Sequence, residues 1–295
     1  MDSITQSNLT ITNQQKILLA LHNSPLSSKA NAAFVTEWHQ YVIPRFSTLD
    51  TQNLEFWSTH NRQRITACYT GAVDDVLEKH ASYYNHRLKV DAHILQRLER
   101  QGKTFWPHQL TSWIELNTLG ANAGWFFPVE ISMEALLDSL ENTTHKKILT
   151  RWINIQSEVT CIGYGESLVD PIIHQMTLRL DASLPLVNQF HLALNLADFF
   201  DLPSFPGQLL NILEHYHTSA LAISLWLSPE GVIKFGLRIF NPSTKLMLAL
   251  AMLTGLDKKT EDGIAFTYGL LEKLAWVEIQ HTANGIWSEA SYQVS

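Results

Sequence analysis

The stretch Ala220–Phe240, ALAISLWLSPEGVIKFGLRIF, reads as two alternating strands around a Pro-Glu-Gly turn. Leu221, Ile223, Leu225, Leu227, Ile233, Phe235, Leu237 and Ile239 share one face, while Ser224, Trp226, Lys234, Gly236 and Arg238 share the other. Two cations beside an indole on one sheet face suit an anionic ligand with a greasy or cationic end. Taken alone, the stretch also fits a surface hairpin with one wetted face.

Similar strand pairs start at Asn53 (NLEFWSTHNRQRITACYT), Ser112 (SWIELNTLGANAGWFFPVEI), Trp152 (WINIQSEVTCIGYGESLVDPIIHQMTLRLD) and Leu274 (LAWVEIQHTANGIWSEASYQV), which makes five. Helical sequence joins them: VDDVLEKHASYYNHRLKVDAHILQRLER, MEALLDSLE, SLPLVNQFHLALNLADFF with PGQLLNILEHYH, and TKLMLALAMLTGL with DGIAFTYGLLEKL. A unit recurring every roughly 40 to 65 residues is too small to bury its own apolar face and must close against its neighbours. The expected fold is therefore α+β, a ten-stranded antiparallel barrel of five ββ units with helices on its solvent side. One domain is expected over residues 1–295, with 1–12 as a disordered arm. Helices outside would draw the oily strand faces outward and leave the polar faces lining a lumen wide enough for a ligand.

The composition sets limits. A chain of 295 residues, 45% hydrophobic and 17% charged, has ample material for a core. A net charge of −7 argues against nucleic acid as a partner. No membrane span is expected, and the opening MDSITQSNLT carries neither block of a signal peptide, so a cytoplasmic monomer is expected. Cys68 and Cys161 have no metal-ligand spacing and suit a reducing compartment. A Gly-rich phosphate loop, a G-x-S-x-G elbow, an H-E-x-x-H pair and a DDxxD run are all missing. His215 and His217 lack a third metal ligand, and His80, His86 and His93 sit among Arg87, Lys89, Arg97 and Arg100 as on a solvated helix face.

Asn53-Leu54-Glu55 followed by QRITACY is similar to the first hairpin of the cyanobactin prenyltransferases, ABBA-type enzymes that modify ribosomal cyclic peptides. The order of elements resembles that family along most of the chain, and residues 53–98, 220–240 and 274–293 do so most closely. Pro128-Val129-Glu130-Ile131-Ser132 resembles the P-x-E-F-S signature of indole prenyltransferases, which share the barrel, although here it falls on the second hairpin. The resemblance implies transfer of an isoprenyl group from its diphosphate, with Glu55 as the base. It also implies a magnesium ion carried by the diphosphate, with no dedicated protein ligands to the metal. In that family the residue near Ser224 limits the prenyl chamber; dimethylallyl is the favoured donor and geranyl the longer option.

An allylic diphosphate needs an anion clamp, a shield for a carbocation and an aimed nucleophile. Alternation nominates Arg64, Arg179, Lys234 and Arg238 for the clamp, with Gln175 on the face of Arg179. Trp57, Trp113, Trp226 and Trp276 take the polar parity of their strands and would shield the cation, with Tyr292 and Ser224 beside them. Glu115 and Glu278 join Glu55 on that parity and would bind the acceptor. Three carboxylates point to a basic side chain, Arg or His, of a cyclic or linear peptide. Two other readings stay open: a small-molecule indole or phenol prenyltransferase, and a non-catalytic barrel for an amphiphile.

Overall fold

The computed structural model describes residues 13–22, 28–46, 50–57, 64–87, 92–105, 108–117, 120–140, 142–155, 158–167, 173–256, 258, 261–262, 269–271, 273–283 and 285–293; for some of these, 50–57 and Arg64 among them, it describes the backbone alone. The strands are β1 (Asp50–Trp57), β2 (Arg64–Ala72), β3 (Gln109–Asn117), β4 (Gly120–Phe127), a two-residue β5 (Ile131–Ser132), β6 (Thr160–Ser167), β7 (His174–Arg179), β8 (Ala222–Ser228), β9 (Gly231–Phe240), β10 (Leu274–Thr282) and β11 (Gly285–Gln293). All pairings are antiparallel, in the order β4-β3-β2-β1-β11-β10-β9-β8-β7-β6-β5. A further pairing of β4 with β6, from Gly124 opposite Ser167 to Phe127 opposite Tyr164, closes the ring. The expected ten-stranded barrel is present, and β5 is a stub beside β6.

Helices wrap the outside: α1 (Asn13–His22), α2 (Ser28–Glu37) running through a π-helical turn (Trp38–Val42) into α3 (Ile43–Phe46), α4 (Val73–Arg87), α5 (Ala92–Phe105), α6 (Met133–Ser139), α7 (Thr143–Ile153), α8 (Leu186–Phe199), α9 (Gln208–His215) and α10 (Thr244–Leu253). The oily strand face does turn toward them: Ile223, Leu225, Phe235 and Leu237 join one buried cluster with Leu196, Leu209, Leu213 and Leu250. Each such side chain stabilises the fold by about 1.5–3 kcal/mol, so the barrel wall is held from outside. At the N-terminal end Trp38 packs on Tyr69 of β2 at 5.6 Å between ring centroids, and Tyr83 of α4 donates to Glu37 at 2.6 Å.

Several expectations change in detail. Within the helical stretch expected over 73–100 the structure describes α4 up to Arg87 and α5 from Ala92. Trp152 and Ile153, expected to open a strand, instead close α7. Their alternation with Asn154 and Ile155 imitates a strand, but Asn142 caps the helix by accepting from the Thr144 and His145 N–H groups at 2.9 and 3.1 Å. Trp152 then packs inward, its Nε1 donating to the Leu192 carbonyl at 3.0 Å. The proposed arm at 1–12 and most of DGIAFTYGLLEKL, residues 263–268 and 272, lie outside the described residues.

One polar cluster is buried between α5 and the wall. Ile94, Leu98 and Gln101 form the helix's buried stripe. Glu166 Oε1 accepts from Arg97 Nε at 3.0 Å, Gln101 Nε2 at 2.6 Å and Tyr164 Oη at 3.1 Å. His174 Nδ1 lies 2.6 Å from Tyr164 Oη, and Trp125 Nε1 donates to Gln101 Oε1 at 3.0 Å. Burial, and secondarily the Glu166 charge, pushes the Tyr164 hydroxyl pKa far above its ordinary value, so it remains a donor. No helix among the described residues is long and apolar enough to cross a membrane.

Candidate active site

The polar strand faces surround a chamber of about 290 Å³. Thr66 and Cys68 of β2, Trp113 and Glu115 of β3, and Phe126 of β4 line one side. Gln175 and Thr177 of β7, Trp226 of β8, Lys234 and Arg238 of β9, and Trp276 of β10 line the other. Register explains the gathering, because residues opposite one another share a face. One row runs Gln175–Trp226–Lys234 across β7, β8 and β9. Another runs Trp276–Ser291–Glu55–Thr66–Glu115 across β10, β11, β1, β2 and β3.

Both cations are buried and already engaged. Arg238 Nε donates to Glu278 Oε2 at 2.7 Å, and Lys234 Nζ donates to Glu289 Oε2 at 3.2 Å and lies 3.6 Å from Glu278 Oε1. Gln280 Nε2 also donates to Glu289, at 2.9 Å. Each cation lies over an indole as well: Lys234 Nζ is 4.9 Å from the Trp226 ring, and Arg238 Cζ is 3.9 Å from the Trp276 ring. Glu278 and Glu289 are fully buried, so removing one member of this group would strand a charge away from water. The cations are thus fixed in place, facing the chamber over aromatic surfaces.

Glycines make room for the large groups. Trp113 lies across Gly124, which sits opposite it in the sheet, and the Phe126 ring lies across Gly163; a β-carbon at either glycine would overlap the ring. Trp113 also meets Trp226 at 5.8 Å between centroids and 47° between planes, joining β3 to β8 across the lumen.

Of the residues nominated by alternation, the structure gathers Trp113, Glu115, Gln175, Trp226, Lys234, Arg238 and Trp276 around the chamber. Ser224 is buried on the same face, opposite Thr177 and Gly236, and does not line the cavity. Glu278 is corrected as an acceptor contact: it lies beneath Arg238 and Lys234, where it holds this chain's own cations. Arg179 is not brought in. It ends β7, is 53% exposed and pairs with the 63% exposed Glu130 at 3.2 Å, so alternation gave its face while its height along the barrel put it at the rim. The same contact puts Glu130 of the Pro128–Ser132 stretch on the surface, although Pro128 lines the chamber.

Tyr292 faces the other way. On β11 the chamber parity belongs to Glu289 and Ser291, so Tyr292 points outward, fully buried, with its hydroxyl donating to Met247 Sδ of α10 at 3.3 Å. The side chains of Glu55, Trp57 and Arg64 lie outside the described residues; at the backbone they pair with Ser291, Glu289 and Asn117. Glu289, Gln280, Thr66, Cys68 and Phe126 were not nominated from the sequence, whereas Thr177 shares the alternating face of Gln175 and Arg179 and does line the chamber. Alternation along Trp287-x-Glu289-x-Ser291 was the available signal for the first.

No family model matches the chain. Over 97% of its length it superposes on 94% of the crystal structure of AnaPT from Neosartorya fischeri, with a TM-score of 0.68 at 12% identity. The fold is that of the ABBA-type prenyltransferases. This barrel is shared with 5-dimethylallyltryptophan synthase from Streptomyces coelicolor, at a TM-score of 0.68 over 95% of this chain and 97% of that one with 11% identity. It is also shared with PriB, solved with L-tryptophan and dimethylallyl thiolodiphosphate, at 0.60 over 96% and 95% with 10% identity. In sequence, a PH domain-containing protein of Dictyostelium discoideum is 24% identical over 216 residues, 70% of this chain and 46% of the relative. The chain therefore spans about half the length of the curated relative it matches.

Proposed function

We propose that the protein is a prenyltransferase that moves a dimethylallyl group from its diphosphate to a small aromatic acceptor, an indole or a phenol. One observation carries the reading: Lys234 and Arg238 face the chamber, each stacked on a tryptophan, with Trp113 and Glu115 on the opposite wall. The cations would take the diphosphate oxygens as the allylic C–O bond breaks. The faces of Trp226, Trp276 and Trp113 would shield the carbocation from water, at roughly 0.5–2 kcal/mol for each cation–π contact. A carboxylate from the row Glu55–Thr66–Glu115 would remove the acceptor proton.

A small acceptor replaces the basic peptide expected from the sequence. Of the carboxylates behind that expectation, Glu278 is spent on Arg238 and Lys234. A chamber of about 290 Å³ matches the small end of ligand pockets, about 300–1,000 Å³. Two of the solved neighbours also point this way, being a dimethylallyltryptophan synthase and a complex with L-tryptophan. Magnesium would ride on the donor's own oxygens, which needs no cage of protein carboxylates. Bound that way, the ion would neutralise phosphate charge.

The second reading is a non-catalytic barrel for an amphiphile, favoured by the carboxylates that already neutralise Lys234 and Arg238. Incubation with dimethylallyl diphosphate, magnesium and a panel of indoles, phenols and cyclic peptides, read by mass, separates the two. The enzyme should add one prenyl group to an indole or phenol. Glu55→Gln or Glu115→Gln, whichever removes the base, should slow turnover by on the order of 10²-fold or more with donor binding kept. Donor binding without product from any acceptor would sink the enzyme and leave the carrier.

A further inference from the structure

The two chamber cations come with counter-charges of their own, arranged in a way that stability alone does not favour. Glu278 of β10 is the register partner of Arg238 on one side and of Glu289 on the other. Like charges directly opposite one another in a sheet repel, and here both are fully buried. Lys234 Nζ stands between them, 3.2 Å from Glu289 Oε2 and 3.6 Å from Glu278 Oε1. Glu278 Oε1 has no hydrogen-bond partner among the described residues, so it acts on Lys234 through its field rather than through a bond. Lys234 and Arg238 line the chamber and the two carboxylates do not, which puts the negative charges behind the positive ones.

Glu278 cannot withdraw when an anion arrives. Its carboxyl lies against the backbone of Gly236, and Arg238 Nε holds its other oxygen at 2.7 Å. An anion on Lys234 and Arg238 is therefore drawn by two cations and opposed at short range by two fixed carboxylates, in an interior where charges act strongly. Turnover makes that opposition useful. When the allylic C–O bond breaks, its electron pair stays on oxygen; the allyl carbon bonds to the acceptor, whose proton goes to the base. Pyrophosphate then carries one more negative charge than the donor did, and unopposed cations would hold this product more tightly than the substrate. We propose that Glu278 and Glu289, acting through Lys234 and Arg238, cap diphosphate affinity so that pyrophosphate is released. This rests on reading Lys234 and Arg238 as the diphosphate clamp, and it adds the residues that limit the clamp's strength.

Calorimetric titration of the full chain with inorganic pyrophosphate, together with thermal melts with and without it, reads the effect in the absence of turnover. Glu278→Gln and Glu289→Gln keep the size and an accepting oxygen but remove the charge. Each should bind pyrophosphate on the order of tenfold more tightly than the parent. Each should also show the larger rise in melting temperature when pyrophosphate is added, because the ligand restores negative charge beside a stranded cation. A carboxylate that merely props up its cation predicts the opposite sign: weaker binding, as Arg238→Met should show. Unchanged or weaker binding in the variants, or no binding by parent and variants alike, would overturn the proposal. A variant too unstable to titrate alone should be recovered by pyrophosphate, and one that is not recovered counts against it. Tighter binding in the variants without prenylated product from the parent would keep the two carboxylates as the affinity limit and retire the enzyme. Product from the parent, with variants that bind pyrophosphate no more tightly, would do the reverse.

Discussion

Gly236 lies between Lys234 and Arg238 on β9, and its missing side chain is what lets Glu278 pass beneath them. A β-carbon at Gly236 would sit 2.5 Å from Glu278 Oε1 and 2.7 Å from its carboxyl carbon. Glu278 cannot step aside, being fully buried and bonded to Arg238 at 2.7 Å. Gly236→Ala should therefore destabilise the protein by about 1–3 kcal/mol, measured by urea denaturation. Gly207→Ala, with nothing within 4 Å and an ordinary φ of −59°, should stay within about 0.5 kcal/mol of the parent. Equal midpoints for the parent and Gly236→Ala would refute the account. At this scale the sequence was informative about faces and silent about partners. Alternation put Lys234, Arg238, Trp113, Trp226 and Trp276 on the polar side, whereas the register that sets Glu278 opposite Arg238 comes from the β9–β10 pairing, which no single strand encodes. The reactivity of Cys161 was equally hidden: burial pushes its thiol up to about 12, and its S–H donates to the Gly163 carbonyl at 3.1 Å, which makes it an inert filler.

Among the elements, α5 is tied to the barrel by charge as well as by its apolar stripe. Glu166 is 1% exposed and gathers Arg97, Gln101, Tyr164 and His174 around one carboxylate oxygen. Deleting one side strands the other, so Arg97→Met and Glu166→Met should each lose about 3–5 kcal/mol. The double variant should lose clearly less than the two added together in a denaturation cycle; strict additivity would mean that the two groups do not act as a unit. Strands were easier to read than helices. Period-two patterns of nine or ten residues, as in β9 and β10, are unambiguous, and the hairpin from Ala220 matches β8 and β9 closely. The fragment Trp152–Ile155 alternates as a strand would, and the deciding cap lies ten residues upstream at Asn142. Arg179 and Tyr292 show the limits of parity. The first has the chamber's parity at the wrong height, and the second is one residue out of phase with Glu289 and Ser291.

For the molecule as a whole, the buried histidines set a direction for acid sensitivity. Burial, then the charge of His174, holds the His145 pKa below its ordinary value, and burial does the same for His281 against a hydrogen bond that its ring donates to the Ser204 backbone. In the unfolded chain both take up protons near their ordinary pKa of about 6.5. Their contribution is therefore present above that pH and is lost as pH falls through the lower folded values. The melting temperature should drop between about pH 7.5 and about pH 5.5, and His145→Met should flatten the decline; a melting temperature that held or rose on acidification would contradict this.

The pairing of β1 with β11 has a consequence for how the protein is made. Asn53 lies opposite Gln293, so neighbours in space are separated by nearly the whole chain. At about 5–20 residues per second, synthesis needs roughly 12–50 s after the first of these residues before its partner exists. Throughout that interval the nascent sheet has two unpaired margins and an open, tryptophan-rich trough, and the seam can be zipped only when the last strand leaves the ribosome.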